Sequence, residues 1–463
     1  MRPAIATSLL LLASCAGPRP GMPSGSAVTI PTSWREQAGL PGRIAEDWWS
    51  RFDDPALGRL VRAALERNTD LLVAGARVEE ARAQFRSSAS RLSPSIGLDG
   101  GSARSRSVNA FGMGVDQSQA AGEVAITYEV DLFGRLSAAS DASRKAFLAT
   151  AFARDGTRIS LIATVVSGYA LLRGLDEQLA IVADTAKARE AELAVIRRRT
   201  AAGYGSQLEL RQAEAAYEAA SRLIPATRLS VSQQENALSV LVGGMPAAID
   251  RGADLGALLR IEVPSALPSA LVRLRPDVAE AEMRLASTDR SLDAARAEFL
   301  PNLQLSASSG AVASTLLSDP VSLFSIGGSI LAPLFRGGEL RAQADVAAAR
   351  RDAAAFSYRG TVLKAFEEVD NAMTAVSRLT EEEAAIDRQI LASSASVELA
   401  RRRYRSGYAS YLEQIDAERS LLETRLQRVS IRSARATAIV TLYRGLGGGW
   451  DNRAARRDGS VLD

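Results

Sequence analysis

The sequence predicts a mainly α-helical fold with a membrane β-barrel, built from two copies of one structural unit. The first observation is a repeat: the turn segment around Gly203 recurs around Gly407, 407 − 203 = 204 positions later. The second is that each copy joins alternating apolar and polar residues, typical of strands, to helical patterns much longer than those of compact domains. Each unit is therefore predicted to hold a helix, a strand hairpin and a very long helical hairpin.

Composition and charge exclude several classes of function. The 463 residues include 56 Lys and Arg against 53 Asp and Glu, and the net charge of +3 gives no basic field for nucleic acid. Histidine is absent, which removes the commonest general base and the commonest metal ligand. The sequence also has no metal-ligand spacing, phosphate-binding Gly-rich loop or nucleophile elbow, so we expect no enzyme, no cofactor and no nucleic-acid partner.

Cys15 is the single cysteine of the chain, and it follows the apolar run Leu9–Leu12 and two small residues. A charged start, an apolar run and a small-residue site are typical of a secretory signal peptide. Small residues that end in cysteine resemble a bacterial lipobox, which predicts cleavage before Cys15 and a lipid on its thiol. The alternative is an ordinary signal peptide with an incidental cysteine. No later stretch reaches roughly 20 uninterrupted apolar residues, so any membrane-spanning part is predicted to consist of strands.

The chain divides into six predicted segments, which differ in composition and periodicity. In order they are a lipoprotein signal peptide at 1–14, a lipidated Pro- and Gly-rich tether at 15–47, a first repeat at 48–245, a connecting belt at 246–271, a second repeat at 272–450 and a solvated tail at 451–463. After its opening helix, each repeat holds strands and then a helical hairpin, at about 95–133 and 134–242 in the first and about 301–335 and 336–446 in the second.

Individual residues support these segments. Apolar and polar residues alternate from Glu123 to Leu132, which predicts a strand with one apolar face. Pro276 suits the first position of a helix, and Pro225 is expected to kink the return helix of the first hairpin. Trp48 and Trp49 are expected to pack the first helix against the rest of the protein; an interfacial or ligand-binding role is the alternative.

Each long helix carries a heptad seam, in which residues recur in alternating steps of three and four. The first seam is Leu172, Leu175, Leu179, Val182, Ala186, Arg189, Leu193 and Ile196. The eight equivalent residues 204 positions later are Val376, Leu379, Glu383, Ile386, Ile390, Ser393, Val397 and Ala400, and Tyr404 continues the second seam by one more step. A helix from about 135 to 200 would be roughly 100 Å long. The mixture of Ala, Ser and charge with Leu suits a wide assembly with a wet interior.

The four predicted strands cannot close a barrel alone, and open strand edges are not tolerated in lipid. The smallest single-chain barrels have about eight strands. Three chains would supply 3 × 4 = 12 strands, and their helical hairpins would continue the barrel as a tube. The alternative is a soluble helical bundle with two small sheets.

Several short motifs, each of them weak alone, occur in order along the chain. They are Trp48-Trp49, Asp70-Leu71, the segment Ala76–Ala81, the segments Tyr128–Gly134, Arg275–Val278 and Phe335–Gly338, and the closing Leu446–Trp450. In this order and with the duplication, the chain resembles the TolC-like outer-membrane efflux proteins, and among them the lipoprotein branch that works with proton-driven drug pumps. This resemblance covers nearly the whole chain. It implies a homotrimer whose 12-stranded barrel lies in the outer membrane and continues as an α-helical periplasmic tunnel. The implied partners are a periplasmic adaptor, an inner-membrane proton-driven pump and outer-membrane lipid.

The resemblance also implies a periplasmic gate at the second hairpin. Leu412 and Asp416 match the lumen-facing gate positions and, four residues apart, share one helix face. Three copies of Asp416 would form a ring of like charge, which partners such as Arg405 would hold shut. Tyr404, Arg405 and Asp416 have no counterpart in the first hairpin, where Thr200, Ala201 and Gln212 stand. The alternative is that Asp416 is an ordinary surface residue.

The two turns are expected to face the adaptor through Gly203, Ser206, Gly407 and Ser410. The arginine runs 197–199 and 401–403 precede them, and we interpret these runs as a solvated face with salt bridges to glutamates of neighbouring helices; adaptor docking is the alternative. Three functions compete: a duct for small-molecule efflux, a duct for type I protein secretion, and a non-channel periplasmic coiled-coil protein. Lipidation favours the first, by analogy with the family.

Overall fold

The computed structural model describes residues 18–35, 40–41, 44–261, 264–265 and 274–450. The predicted lipidation residue Cys15, the signal peptide and the C-terminal tail lie outside these residues. The chain divides into two compact units. The first consists of Met1–Val28, Ala76–Ala151 and Ala279–Thr361, and the second of Thr29–Gly75, Phe152–Val278 and Val362–Asp463.

The described elements follow the predicted order. The helices are α1 (Pro55–Arg67), α2 (Thr69–Ala89), α3 (Arg135–Ala201), α4 (Gln207–Ser221), α5 (Leu223–Leu241), the single turn α6 (Leu255–Leu258), α7 (Pro276–Ala297), α8 (Glu339–Arg405) and α9 (Tyr411–Gly445), with short 3-10 helices at Trp48–Phe52 and Ser90–Leu92. The strands are β1 (Leu40–Pro41), β2 (Ser95–Val108), β3 (Gly114–Val130), β4 (Pro264–Ser265), β5 (Asn302–Ser314) and β6 (Val321–Leu331). Helix, two strands, long helix, turn and return helix occur twice, which confirms the duplicated, mainly helical fold.

Proline accounts for the main differences between the two copies. Helices α3 and α8 both have 67 residues. The return helix of the first copy is divided into α4 and α5, because Pro225 has no N–H to donate to the carbonyl of Ser221. The second return helix, α9, contains no proline and continues unbroken for 35 residues. Strand β6 ends at Leu331, before Pro333, rather than at Phe335 as predicted.

In the first unit, the two strand hairpins form one four-stranded antiparallel sheet in the order β2-β3-β5-β6. Ile96 pairs with Ile126, Ile126 with Ala307, and Ala307 with Ile326, so these side chains share one face. That face also carries Leu98, Val124, Leu303, Leu305, Phe324 and Ile330. Ile96, Phe324 and Ile326 are each more than 70% exposed. The sheet therefore presents an uncovered apolar face, as the alternating sequence predicts.

The second unit holds an aromatic and aliphatic core. The ring of Trp48 is 1% exposed and stacks on that of Tyr443, with 4.8 Å between ring centroids. Around them lie the fully buried side chains of Leu57, Val61 and Tyr169. Asp54 accepts hydrogen bonds from the hydroxyl of Tyr169 (2.9 Å) and the amide of Ala253 (2.8 Å), which ties α3 to the connecting belt. The predicted packing role of the tryptophan pair is confirmed.

In the second unit, the first heptad seam is largely buried, and the second is buried at four positions and half-buried at the others. Leu172, Val182, Ala186, Arg189, Leu193 and Ile196 of α3 are at most 7% exposed, and Val376, Ile386, Val397 and Ala400 of α8 are similarly buried. Among the described helices, α3 is the one long and apolar enough, by length and composition, to cross a membrane. However, 56% of its apolar window is buried inside the protein, and a packed core helix passes the same test.

Candidate functional site

The turn between α3 and α4 and the turn between α8 and α9 have the same backbone geometry. Gly203 and Gly407 adopt φ of +80° and +76°, in the left-handed region that glycine occupies without steric cost. The amide of Tyr204 donates to the carbonyl of Arg199 (2.9 Å), and that of Tyr408 to the carbonyl of Arg403 (2.8 Å). These 6→1 hydrogen bonds close both helices in the same C-terminal motif, so glycine at these two positions sets the reversal.

A serine caps the helix that leaves each turn. The hydroxyl of Ser206 accepts from the amide of Leu208 (3.1 Å), and that of Ser410 accepts from the amide of Glu413 (3.4 Å). Tyr204 and Tyr408 are 85% and 80% exposed at the tips. The four residues predicted to face an adaptor thus build two rigid turns that display aromatic rings to solvent.

The candidate gate residues Leu412 and Asp416 lie on one exposed face of α9. Leu412 is 50% exposed, and the carboxylate of Asp416 pairs with Arg419 at 3.3 Å. Arg405 is exposed, and within the described part of the chain no carboxylate lies at ion-pair distance from it. The structure does not bring Arg405 to Asp416 within one chain. Asp416 pairs instead with Arg419, which is one helical turn away on α9.

Tyr404 does not share the exposed face of Leu412 and Asp416. Its ring packs against that of Tyr411, with 5.4 Å between centroids, beside the buried side chains of Leu193 and Ile196. Burial raises the pKa of Tyr404, and the nearby carboxylate of Glu209 raises it further. Tyr404 is therefore part of the hydrophobic cluster that braces the two hairpin tips against each other.

A buried charged cluster, which sequence reasoning missed, joins three helices behind the candidate gate. The carboxylate of Glu418 in α9 forms ion pairs with the guanidinium groups of Arg189 in α3 (2.8 Å) and Arg401 in α8 (2.8 Å). The amide of Gln414 donates to the carboxylates of Glu418 (3.0 Å) and Glu192. Arg189, Gln414 and Glu418 are each at most 9% exposed. We call these five residues the Glu418 cluster.

The surroundings of Glu192 in the Glu418 cluster favour the protonated form of its carboxyl. Burial raises the pKa of its carboxyl, the charge of Glu418 raises it further, and Arg189 opposes both. Burial also raises the pKa of the adjacent Tyr411 hydroxyl. The carboxylates of Glu192 and Glu418 therefore lie near the same two guanidinium groups, those of Arg189 and Arg401. Burial destabilises the charged form of Glu192.

The first hairpin repeats part of this cluster without burying it. Arg197 and Glu214 stand 204 positions before Arg401 and Glu418, and their side chains are 3.5 Å apart and 61% and 30% exposed. The counterparts of Arg189 and Gln414 are Ser393 and Leu210, which carry no charge. The signals in the sequence were the single arginine of the first seam and this conserved spacing between the repeats. The interpretation of the arginine runs as salt-bridged faces agrees with both pairs.

A second set of ion pairs lies further along α9, toward its C-terminal end. Arg432 contacts Glu177 of α3 at 3.1 Å and Glu383 of α8 at 3.4 Å, and Arg428 contacts Glu177 at 3.4 Å. Arg435 also pairs with Glu383. Helix α9 is thus joined by ion pairs to both long helices, in addition to the apolar side chains that it buries in the core. Among the described residues, no group of three or more His, Cys, Asp or Glu side chains is arranged to hold a metal ion.

Comparison with known proteins agrees with this architecture. The family model described as outer membrane efflux protein matches residues 60–244 and 267–448. The chain is 33% identical, over 88% of its length and 86% of the relative's, to the probable efflux pump outer membrane protein TtgC of Pseudomonas putida. It is 32% identical to the outer membrane protein OprJ of Pseudomonas aeruginosa, over 97% of both chains.

Solved structures give the same result. The outer-membrane channel OprN matches with a TM-score of 0.85 and 28% identity, over 94% of this chain and 99% of that one. The duplicated fold, the sheet and the long helical hairpins are therefore shared with an outer-membrane channel.

Proposed function

Because this chain belongs to the outer membrane efflux protein family, as a channel component of an efflux pump and not an enzyme, we propose that three copies close one passive duct through the outer membrane. The observation that carries this proposal is the four-stranded sheet. One face of it is apolar and exposed, and the outer edges of β2 and β6 pair with no strand of the described chain.

Lipid accounts for both properties of the sheet. An exposed apolar face is favourable against hydrocarbon chains and costly in water. Unpaired strand edges are excluded from the hydrocarbon region, because their N–H and C=O groups have no partner there. Pairing of β2 with β6 of a neighbouring copy removes both edges. Three copies give 12 strands, with the apolar faces outward and the largely polar faces inward.

The second hairpin is the movable gate of this duct. Its candidate gate residues Leu412 and Asp416 lie on the exposed face of α9, opposite the buried Glu418 cluster. In a trimer, three Asp416 carboxylates would repel one another across a narrow opening. The Glu418 cluster opposes that repulsion, because it holds α9 against α3 and α8 from behind.

Lipid anchoring at Cys15 and docking to partners complete the proposal. A lipid on the N-terminal residue adds about 0.8 kcal/mol of membrane affinity per buried CH₂ group. The exposed rings of Tyr204 and Tyr408 and the side chain of Leu208 make the hairpin tips suitable for an adaptor protein, since exposed apolar groups mark interaction sites. An inner-membrane proton-driven pump then delivers the cargo, for which we propose small toxic molecules.

The duct is tested by reconstituting the purified full-length protein in planar lipid bilayers while its mass is measured in detergent. We expect particles of three chains that conduct ions in discrete steps. A monomeric particle, or trimers that never conduct, would contradict the proposal.

A further inference from the structure

The first described residues of the N-terminal tether, Pro18–Gly25, are bound along the surface of the first unit rather than free. The segment contains Pro18, Pro20 and Pro23, whose fixed φ favours an extended chain with unpaired carbonyl groups. Three arginine side chains of α7 and α8 donate hydrogen bonds to four backbone carbonyl groups of this segment. The sequence predicts an extended tether here, and the arginines explain why the chain is held in place.

Arg351 of α8 makes the central contact. Its Nη1 donates to the carbonyl of Pro20 (2.9 Å), its Nη2 to that of Gly21 (2.8 Å), and its Nε to Asp352 (2.8 Å). The residue is 1% exposed, although its neighbour Arg350 is exposed. A buried guanidinium is stable only when its N–H groups are bonded. The burial of Arg351 therefore depends on the N-terminal segment that covers it.

Contacts on either side fix the segment over two helices. Arg19 forms ion pairs with Asp289 (2.8 Å) and Asp293 (2.9 Å) of α7. Arg296, in the last turn of α7, donates to the carbonyl of Pro18 at 3.1 Å. At the other end, Arg359 of α8 donates to the carbonyl of Gly25. The segment thus crosses from α7 to α8 and then follows α8.

Arg351 and Arg359 hold the segment at two points of α8. They are eight residues apart, a rise of roughly 12 Å along the helix. Between the two contacts the chain makes a turn, in which the amide of Ser26 donates to the carbonyl of Pro23 (3.2 Å) and Gly25 has φ of +89°. The two arginines therefore bond carbonyl groups on either side of Pro23.

We propose that Pro18–Gly25 is a docked strap, with Arg351 as its main positioning residue, that holds the N-terminal anchor beside the strands of its own chain. The beginning of the strap contacts Arg296, six residues before β5 starts at Asn302. Cys15 is three residues before Pro18, which limits their separation to roughly 10 Å. An undocked tether of about 30 residues would have a root-mean-square end-to-end distance of roughly 30 Å, so the position of the anchor would vary over that distance. The anchoring part rests on the proposed lipidation of Cys15.

The test uses a nitroxide spin label at Ser24→Cys in the full-length protein, read by electron paramagnetic resonance. With Arg351 in place, we expect a motionally restricted spectrum. Arg351→Ala is expected to shorten the rotational correlation time of the label several-fold, because two of the carbonyl contacts are lost. The matched control is Arg350→Ala, which removes an exposed neighbouring arginine and should leave the spectrum unchanged. Thermal unfolding of each variant checks that the helices still fold.

The outcomes separate the strap from the anchor. An unchanged spectrum in Arg351→Ala, or a mobile label in the parent protein, overturns the strap. Labelling stoichiometry reports lipidation independently: a lipidated Cys15 leaves one reactive thiol per chain, whereas two labels per chain would refute the anchor and leave the docking of the strap to be judged by the spectrum. A restricted spectrum with one label supports the complete proposal.

Discussion

Arg189 and Glu418 belong to different hairpins, yet their side chains are 2.8 Å apart and only 8% and 9% exposed. Breaking a buried ion pair from one side leaves an uncompensated charge, which costs far more than losing an exposed pair. This contact makes the position of α9 depend on α3. It also distinguishes the second hairpin, where we place the gate, from the first.

Glu418→Ala is therefore expected to destabilise the protein by about 3 kcal/mol, because Arg189 and Arg401 lose their buried partner. The measurement is thermal or urea unfolding of the purified protein. The matched control is Glu214→Ala in the first hairpin, where the equivalent pair is exposed and should cost less than about 1 kcal/mol. Equal losses in the two variants would mean that burial of the Glu418 cluster has no energetic role.

The raised pKa of Glu192 predicts how the stability of the folded protein depends on pH. Its pKa is raised in the folded protein above that of an unburied glutamate, so the folded state binds this proton more readily than the unfolded chain does. Its contribution is fully favourable below the unfolded pKa and is lost as the pH rises through the folded pKa. Glu192→Gln keeps an acceptor for Gln414 and should be more stable than the parent at neutral pH.

The advantage of Glu192→Gln should shrink as the pH falls toward about 4.3, where the unfolded carboxyl itself titrates. Unfolding measured across that range, in both proteins, gives the difference directly. A difference in stability that stays constant with pH would show that Glu192 does not titrate in this way.

Lipidation is predicted to depend on one side chain. Cys15→Ser should abolish incorporation of radiolabelled palmitate in cells, because no other thiol exists in the chain. The control is Ser14→Ala, which keeps a small residue before the cysteine and should keep the label. Persistent labelling of Cys15→Ser would refute the assignment.

The duplicated fold was predictable because local signals occur twice. Gly203 and Gly407 both end a 67-residue helix, and the alternation from Glu123 to Leu132 correctly gives the apolar face of β3. Pro225 and Pro333 account for a divided helix and a shortened strand. Local sequence does not specify the pairing of β3 with β5, which joins the two strand hairpins into one sheet from distant parts of the chain.

The candidate site was less predictable, since its decisive contacts lie between hairpins. The seam pattern marks Arg189 as an unusual charge, but does not reveal that Glu418 and Gln414 meet it from α9. Tyr404 was grouped with the gate because it differs between the repeats, whereas its ring packs beside Tyr411 in the cluster that braces the tips. The tether composition likewise gives no sign that arginines of α7 and α8 hold it.

The central claim is that the second hairpin holds the gate, and single-channel conductance in planar bilayers tests it most directly. The double variant Leu412→Ala with Asp416→Ala should raise the conductance several-fold, because it removes the apolar and acidic side chains from the exposed face of α9. The matched control is Leu208→Ala with Gln212→Ala at the equivalent positions of the first hairpin, which should conduct like the parent. An unchanged conductance in the Leu412 and Asp416 variant, or an equal rise in the control, would contradict the claim.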